Sequence, residues 1–527
     1  MKRFVQVLAV SLLGLLAGAQ AASAAKPGGT LRLGIEGNVD HMDGTVALGI
    51  PAKFYRDTMG AGLLGLDENY KVIGELAHKW EVSEEGRVIT FHLHKGAKFH
   101  DGTDMDAEAV KWNIDLLTGR LDPAWLKETK KKNPKARLGS SYTAYLMQIK
   151  KVEVVDKHTV RFHQSDVGKG MTLAALAGYW NRPVWVSPKA YDKDIQAFRR
   201  NPVYGGPFRL VEYKPNQHVI MERFKDYFLK DRPYLDRIEV YVMPDATQRM
   251  NALKAGEIDM ILNVPKGIVK TLQQTEGVSV EAGKTATTFV ATINSQRPVW
   301  KDVRVRRAIS CYAINRKQIV DTALRGLTIP WNSLSAPGSV DAIDLTAACP
   351  YDPARAKQLL AEAGYGPSKP FKFEMVINNT DPTFVEISQL LKSMYAQVGA
   401  EMSIKVVDRA AWVNLLVRRK VLDMTLQDTL PVLDINSTSQ IWHTPSPINY
   451  LGMNDKKLDK WLEEWRSTLD EKKQIALSHQ MQRYMVEMGY YPAFAGSPFF
   501  QAVRSYVKGN KNLNKLFFDM RDVWLDK

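Results

Sequence analysis

Three histidines lie close together early in the chain, His92, His94 and His100, and Asp101 follows the third. Imidazole nitrogen and carboxylate oxygen are the donor types of a zinc or nickel centre, which needs several of them converging on one point. The neighbouring residues argue for another role. Ile89, Phe91 and Leu93 alternate with Thr90, His92 and His94, so the first two histidines fall on the polar side of a half-buried strand. A solvent-facing strand, with no metal site, is expected there. Other arrangements that carry chemistry are missing: the sequence has no G-x-S-x-G, H-E-x-x-H, paired C-x-x-C or G-x-x-x-x-G-K. An exported α/β hydrolase would need a nucleophile touching a base, and no motif supplies the pair. The expectation is a binding protein, not an enzyme, with no cofactor. Cys311 and Cys349 are too few for a disulfide scaffold. Cys311 falls in a predicted helix and Cys349 in a loop; a bridge between them and two buried thiols are both open readings.

The histidines sit within Arg87 to Leu117, which reads as strand, turn and helix. His100-Asp101-Gly102 turns the chain, Thr103 stands three residues before Asp106 as a capping-box-like start, and Val110, Ile114 and Leu117 share a helix face. A first strand is expected at Gly28 to Gly34 and a strand pair around Val152 to Phe162. Phe208 to Tyr213 and His218 to Arg223 form a hairpin, and Ile238 to Val242 alternates in a further strand. Asp245 caps a helix that stops at Gly256, followed by a strand at Ile258 to Leu262. Past Asn294, Asp302, Asn315 and Asp352-Pro353 each start a helix. Strands at Phe371 to Ile377, Met402 to Val407 and Leu422 to Leu426 then alternate with helices at about Thr383 to Val398 and Ala410 to Leu416, which predicts a largely parallel sheet. Lys456 to Met488 reads as helical, and Tyr491 to Phe494 leads into an extended return.

These blocks, in this order, resemble the family 5 extracellular solute-binding proteins, the dipeptide, oligopeptide and nickel receptors of bacterial ABC importers. Lys98-Phe99-His100-Asp101-Gly102 matches the family's K-F-H-D-G, with His94 where Arg is more usual, and Ala246 to Ile261 (ATQRMNALKAGEIDMI) resembles its second block. The resemblance implies an α/β fold: a two-lobe periplasmic binding protein with a hinge and an additional subdomain inserted in lobe one. On this reading 25–290 form lobe one, with the insertion at about 40–200, 291–497 form lobe two, and 498–527 return to lobe one. The crossings lie near Thr288 to Asn294 and Ala493 to Phe500. The ligand is held between the lobes, and the closed form is what the permease recognises.

Carried over residue by residue, the implied ligand contacts are Asn38 and Asp40, Tyr204 and Gly205, Asn294, Trp331 and Asn332, and the segment from Asp428 through Asp434 and Asn436 to Trp442. Peptide receptors of the family place a Trp and an Asp after the last parallel strand, the carboxylate pairing with the peptide's ammonium group. Here Asp428 or Asp434 can serve, but the Trp is absent and the spacing altered, which weakens peptide specificity. Sugars, opines, aromatic acids and metal chelates are the alternative ligands, and His443, beside Trp442, is the residue a chelate reading would use.

The N-terminus supports export. Lys2 and Arg3 precede an apolar run from Val7 to Ala17, and Ala22-Ser23-Ala24 offers a cleavage site, so 1–24 read as a signal peptide and a periplasmic, monomeric protein is expected. The run is too short to span a bilayer. About 500 residues exceed what one core supports. The formal charge of +15 suggests an anionic partner, but apart from Lys127 to Arg137 the charges are scattered. That run is expected to be a solvated loop, with no nucleic-acid role because no aromatic platform accompanies it.

Overall fold

The computed structural model describes residues 25–527 except 38, 40, 47, 48, 137, 139–142, 179–181, 284–286, 380, 419–422, 430–432, 447, 448 and 512–517. The expected signal segment and the candidate residues Asn38 and Asp40 lie outside the described residues.

The strand Thr30–Ile35 buries Leu31, Leu33 and Ile35 completely. It lies at the centre of a seven-stranded sheet, parallel to Arg237–Val242 on one side and to Met260–Ile261 on the other. The hairpin Phe208–Lys214 and His218–Arg223 extends one edge. At the other, Phe500–Arg504 inserts antiparallel between Met260–Ile261 and Val278–Ala282. Asp245 caps the helix Ala246–Ala255 by accepting from the Gln248 N–H, and Gly256 ends it at φ 75°, a left-handed position that glycine adopts without strain.

A second sheet has five strands in the order Ala400–Val407, Phe371–Asn378, Met424–Asp428, Thr288–Ile293, Ala493–Gly496. Its first three strands are parallel, and only Thr288–Ile293 runs against the others. Phe371, Met375 and Ile377 bury one face with Ile387, Leu391 and Tyr395 of the helix Pro382–Gln397. A third, antiparallel sheet of four strands holds Ala77–Ser83, Val88–Leu93, Thr159–Gln164 and Ile149–Asp156.

Several expectations change. The helix Ala107–Leu117 is capped by Asp106, which accepts from the Ala109 N–H; Thr103 instead donates its hydroxyl and N–H to Asp101. Asp106 sits one residue outside the helix, where a cap must lie, and Thr103 is too far upstream. The first part of the basic run, Lys127 to Lys132, lies in a helix, Ala124–Lys132, because Leu126 and Trp125 give it an apolar side to bury; Asn133 to Ala136 are not helical, as expected, and Arg137 lies outside the described residues. After Asp302 caps Val303–Arg307, the chain widens to a π-helical stretch at Ala308–Tyr312. The expected strand at Leu422 to Leu426 is Met424–Asp428. The first crossing precedes Thr288, since Thr288–Ile293 lies wholly within the five-stranded sheet. Cys311 and Cys349 are joined by a disulfide, with Cα atoms 4.6 Å apart.

Candidate ligand site

The K-F-H-D-G segment builds a junction. Phe99 is fully buried, and Gly102 turns the chain at φ +80°. The His100 N–H donates to the Tyr204 carbonyl at 2.8 Å, its Nε2 lies 3.0 Å from the Gly206 carbonyl, and Ser187 donates to Asp101 Oδ2 at 2.8 Å. Burial lowers the His100 pKa to about 4, so the ring is neutral near pH 7 and its Nε2–H is the donor to Gly206. His94 stacks on Phe228 with ring centroids 5.3 Å apart, while His92 Nε2 lies 3.7 Å from Glu81 on the strand's polar face. The three histidines therefore point to different partners.

The chain passes from the seven-stranded to the five-stranded sheet between Ala282 and Thr288 and returns between Gly496 and Phe500. These two passages are bonded to each other: Thr287 Oγ1 donates to the Ser497 carbonyl at 2.7 Å, and the Ser497 N–H donates to the Thr287 carbonyl at 2.8 Å. Just beyond, Thr288 and Thr429 exchange two bonds of 2.8 and 2.9 Å. Phe289 and Asp428 are directly opposite in the ladder, so their side chains leave the sheet on one face. There Phe289 meets Phe384 edge-on, and Lys266 approaches from the helix Lys266–Gln273 beside the other sheet. Its Nζ stands 4.9 Å from the Phe289 ring centroid and 3.7 Å from Asp381 Oδ2. One ammonium and one carboxylate thus stand at an aromatic ring where the two sheets meet, and Asp428 lies opposite that ring in the ladder, on the same face.

The residues expected to touch ligand do not converge on one place. Tyr204 is fully buried, accepting from the Gly44 N–H and donating to the Met42 carbonyl, each at 2.7 Å, so it anchors the loop after the first strand. Gly205 is packed so tightly that a Cβ would come within 2.5 Å of Met105 Sδ. Asn294 accepts from the Gln296 N–H at the far end of the crossing strand, five residues from Phe289, or roughly 17 Å from Asp428's level. Trp331 donates Nε1–H to the Ser335 carbonyl at 2.8 Å, and Asn332 donates to the Leu345 carbonyl at 3.4 Å. Asp434 caps the short helix Ile435–Thr438 in a capping box with Ser437. Asn436 Oδ1 accepts from Arg466 Nε at 2.7 Å, and Trp442 is 1% exposed in the core that includes Tyr145 and Trp185. Asp428 alone among these joins the cluster around Phe289. Lys266 and Asp381 carry no sequence signal of their own, because they meet only through the packing of two sheets.

A model of the bacterial extracellular solute-binding proteins, family 5 middle region, matches residues 71–447, more than half of the chain. The chain belongs to the family 5 bacterial extracellular solute-binding proteins. Among curated family 5 relatives it is 29% identical over 349 residues to the glutathione-binding protein GsiB of Pectobacterium atrosepticum. That match covers 66% of this chain and 63% of the relative, so the chain spans less than two thirds of that protein's length. In fold it is similar to the Helicobacter pylori periplasmic binding protein DppA in complex with the peptide STSA, with a TM-score of 0.81, 21% identity, and coverage of 95% of this chain and 99% of that one. It is also similar to the binding protein AgaA with agropinic acid from A. tumefaciens R10, with a TM-score of 0.80, 24% identity and the same coverage. The two-lobed family 5 fold is thereby shown. No helix among the described residues is long and apolar enough to cross a membrane.

His443 is already engaged. Its Nδ1 lies 3.5 Å from Arg466 Nη1 and its Nε2 3.9 Å from Asp459 Oδ1. Burial first, and then the Arg466 charge, lower its pKa to about 4, while Asp459 opposes the shift. A guanidinium beside the ring disfavours a metal cation there.

Proposed function

We propose that the protein is the substrate-binding component of an ABC importer, capturing a peptide or peptide-like small solute between two lobes and delivering it to a membrane permease. The observation that carries this reading is the gathering of Lys266, Asp381 and Asp428 around Phe289, beside the two mutually bonded passages between the sheets. A peptide is a zwitterion, and that cluster offers both signs of charge with an apolar wall. In this reading Asp428 receives the ligand's ammonium group and Lys266 its carboxylate, with Asp381 steadying Lys266 in the open form. Lobe one comprises 25 to about 283 and 498–527, lobe two about 288–497, and the four-stranded sheet belongs to the insertion at about 40–200. Tyr204 and Gly205 set the loop after the first strand, and Trp331 and Asn332 shape the opposite wall. Asp434, Asn436 and Trp442 support the site from behind rather than touch the ligand. Residues 1–24 direct export, with cleavage near Ala24, and the mature protein acts as a periplasmic monomer.

Support also comes from a relative: GsiB is a glutathione-binding protein, and glutathione is a tripeptide. A second reading, a non-peptide ligand, is favoured by the missing Trp after Asp428 and by the fold's likeness to a protein that holds agropinic acid. Calorimetric titration with glutathione and a panel of di- to tetrapeptides tests the first reading. One site per monomer is expected, weakened at least tenfold by Asp428→Asn or Lys266→Met with an unchanged melting temperature. Tight binding that neither variant alters would refute the residue roles, and an unchanged radius of gyration in small-angle scattering of the saturated protein would refute closure.

A further inference from the structure

The helix Ala124–Lys132 is held in place by its apolar side. Leu126 is buried, Trp125 packs edge-on against Tyr191 with ring centroids 6.2 Å apart, and the Ala124 N–H donates to Asp192 at 2.6 Å. The opposite side is cationic. By sequence, residues 120–137 carry seven basic against two acidic side chains, and 188–200, which hold the adjoining helices Pro188–Lys193 and Ile195–Arg200, carry four against two. Together they supply nearly half of the formal charge of +15. Lys127, Lys132, Lys135, Lys189, Lys193 and Arg200 are exposed, and none has a carboxylate within salt-bridge distance among the described residues. Within Ala124–Lys132 the repulsive pairs Lys127/Lys130 and Lys127/Lys131 are matched by Glu128 with Lys131 and Lys132, so the positive excess belongs to the whole face rather than to the helix alone. Lysines 130 to 132 do gain from the helix's negative C-terminal end, but Lys127, Lys135, Lys189 and Lys193 lie outside its last turn.

We propose that this face docks the protein onto anionic phospholipid headgroups. The composition decides between a lipid surface and a protein. Protein interfaces concentrate aromatic residues and arginine and are depleted in lysine. Here the exposed basic groups are mostly lysine, and no large apolar side chain of either segment is among the exposed ones. Long ammonium side chains on a pinned helical platform suit diffuse attraction to a charged surface, which each basic residue strengthens about fivefold. The inference is independent of ligand identity and of which residues line the cleft.

The test is co-sedimentation of the purified chain, lacking residues 1–24, with vesicles of phosphatidylglycerol and phosphatidylcholine, compared with phosphatidylcholine alone. Binding to the anionic vesicles only, falling steeply with salt, is expected. The triple variant Lys127→Gln, Lys132→Gln, Lys135→Gln should bind on the order of a hundredfold more weakly with an unchanged melting temperature. The control Lys254→Gln, Lys357→Gln, Lys392→Gln, which removes as many exposed charges elsewhere, should bind like the parent. Equal losses in both triple variants would show that net charge and not this face is responsible, and overturn the proposal. So would no binding to anionic vesicles, or binding to soluble polyglutamate as tight as to the vesicles at equal charge.

Discussion

Replacing both half-cystines, Cys311→Ala with Cys349→Ala, should lower the stability of the five-stranded-sheet region while leaving its native geometry in place. The bridge closes a 38-residue separation. In the chain-entropy treatment a loop of that length removes about 13 cal/mol/K from the unfolded chain, or about 3.9 kcal/mol at 25 °C. Within the loop lie Trp331, Asn332 and the buried Asp341. The folded arrangement has other ties. Buried Arg316 donates to the Ser310, Cys349 and Ala493 carbonyls at 2.9, 3.2 and 2.8 Å, and Gln482 Nε2–H donates to the Asp341 carbonyl at 3.0 Å. The loss should therefore fall on stability rather than on the site. For a unit of about 200 residues, 2 to 4 °C per kcal/mol translates the loss into a melting temperature lower by about 8 to 16 °C. Differential scanning calorimetry of the parent and double variant reads this directly, and ligand titration should give affinities within about twofold. A shift below about 2 °C would refute the entropic argument. A normal melting temperature with a large loss of affinity would show that the bridge shapes the site instead.

Acid should unfold the protein through two histidines. His100 and His443 both have folded pKa values near 4, below the ordinary 6.5, so between those values the unfolded chain binds more protons. Stability present above pH 6.5 is then lost as the pH falls toward 4, by up to about 3 kcal/mol for the fully buried His100 and by less for the partly solvated His443; urea titrations across that range should show the decline, flattened in His100→Gln. Trp442→Phe should cost stability, on the order of 1 to 3 kcal/mol, without weakening ligand binding, because the indole lies in the core and donates only to Thr438 Oγ1. Gly170→Ala should loosen the docking of the helical hairpin Lys456–Ser467 and Glu471–Glu487 on the turn Lys169–Met171 that follows the four-stranded sheet, since the new Cβ would collide with the Thr468 carbonyl; hydrogen exchange faster around 466–474 than in the parent would reveal it.

Elements were legible in the sequence wherever a cap and a period coincided. Asp245 to Gly256, the hairpin after Phe208 and the helix begun by Asp352-Pro353 each combine a side-chain cap or turn with an apolar face. Boundaries slipped where two polar residues competed for one cap, as with Thr103 and Asp106. The site was less legible, for a physical reason. Family positions place a residue near the cleft but do not say which side of the backbone it faces. Asp434 and Ser437 follow the capping-box spacing, and that local pairing claims Asp434. Asn436 is likewise claimed by Arg466. Lys266 and Asp381, which the proposed site adds, could not be read from the sequence because no local pattern links residues that far apart; their contact exists only once the two sheets are set against one another.

The most direct test of the central claim is mass spectrometry of the small molecules released on denaturing protein purified from its native compartment. A set of short peptides, with free ammonium and carboxylate ends, is the result this account predicts. One dominant compound lacking an ammonium group would contradict it, because the role proposed for Asp428 would then go unused.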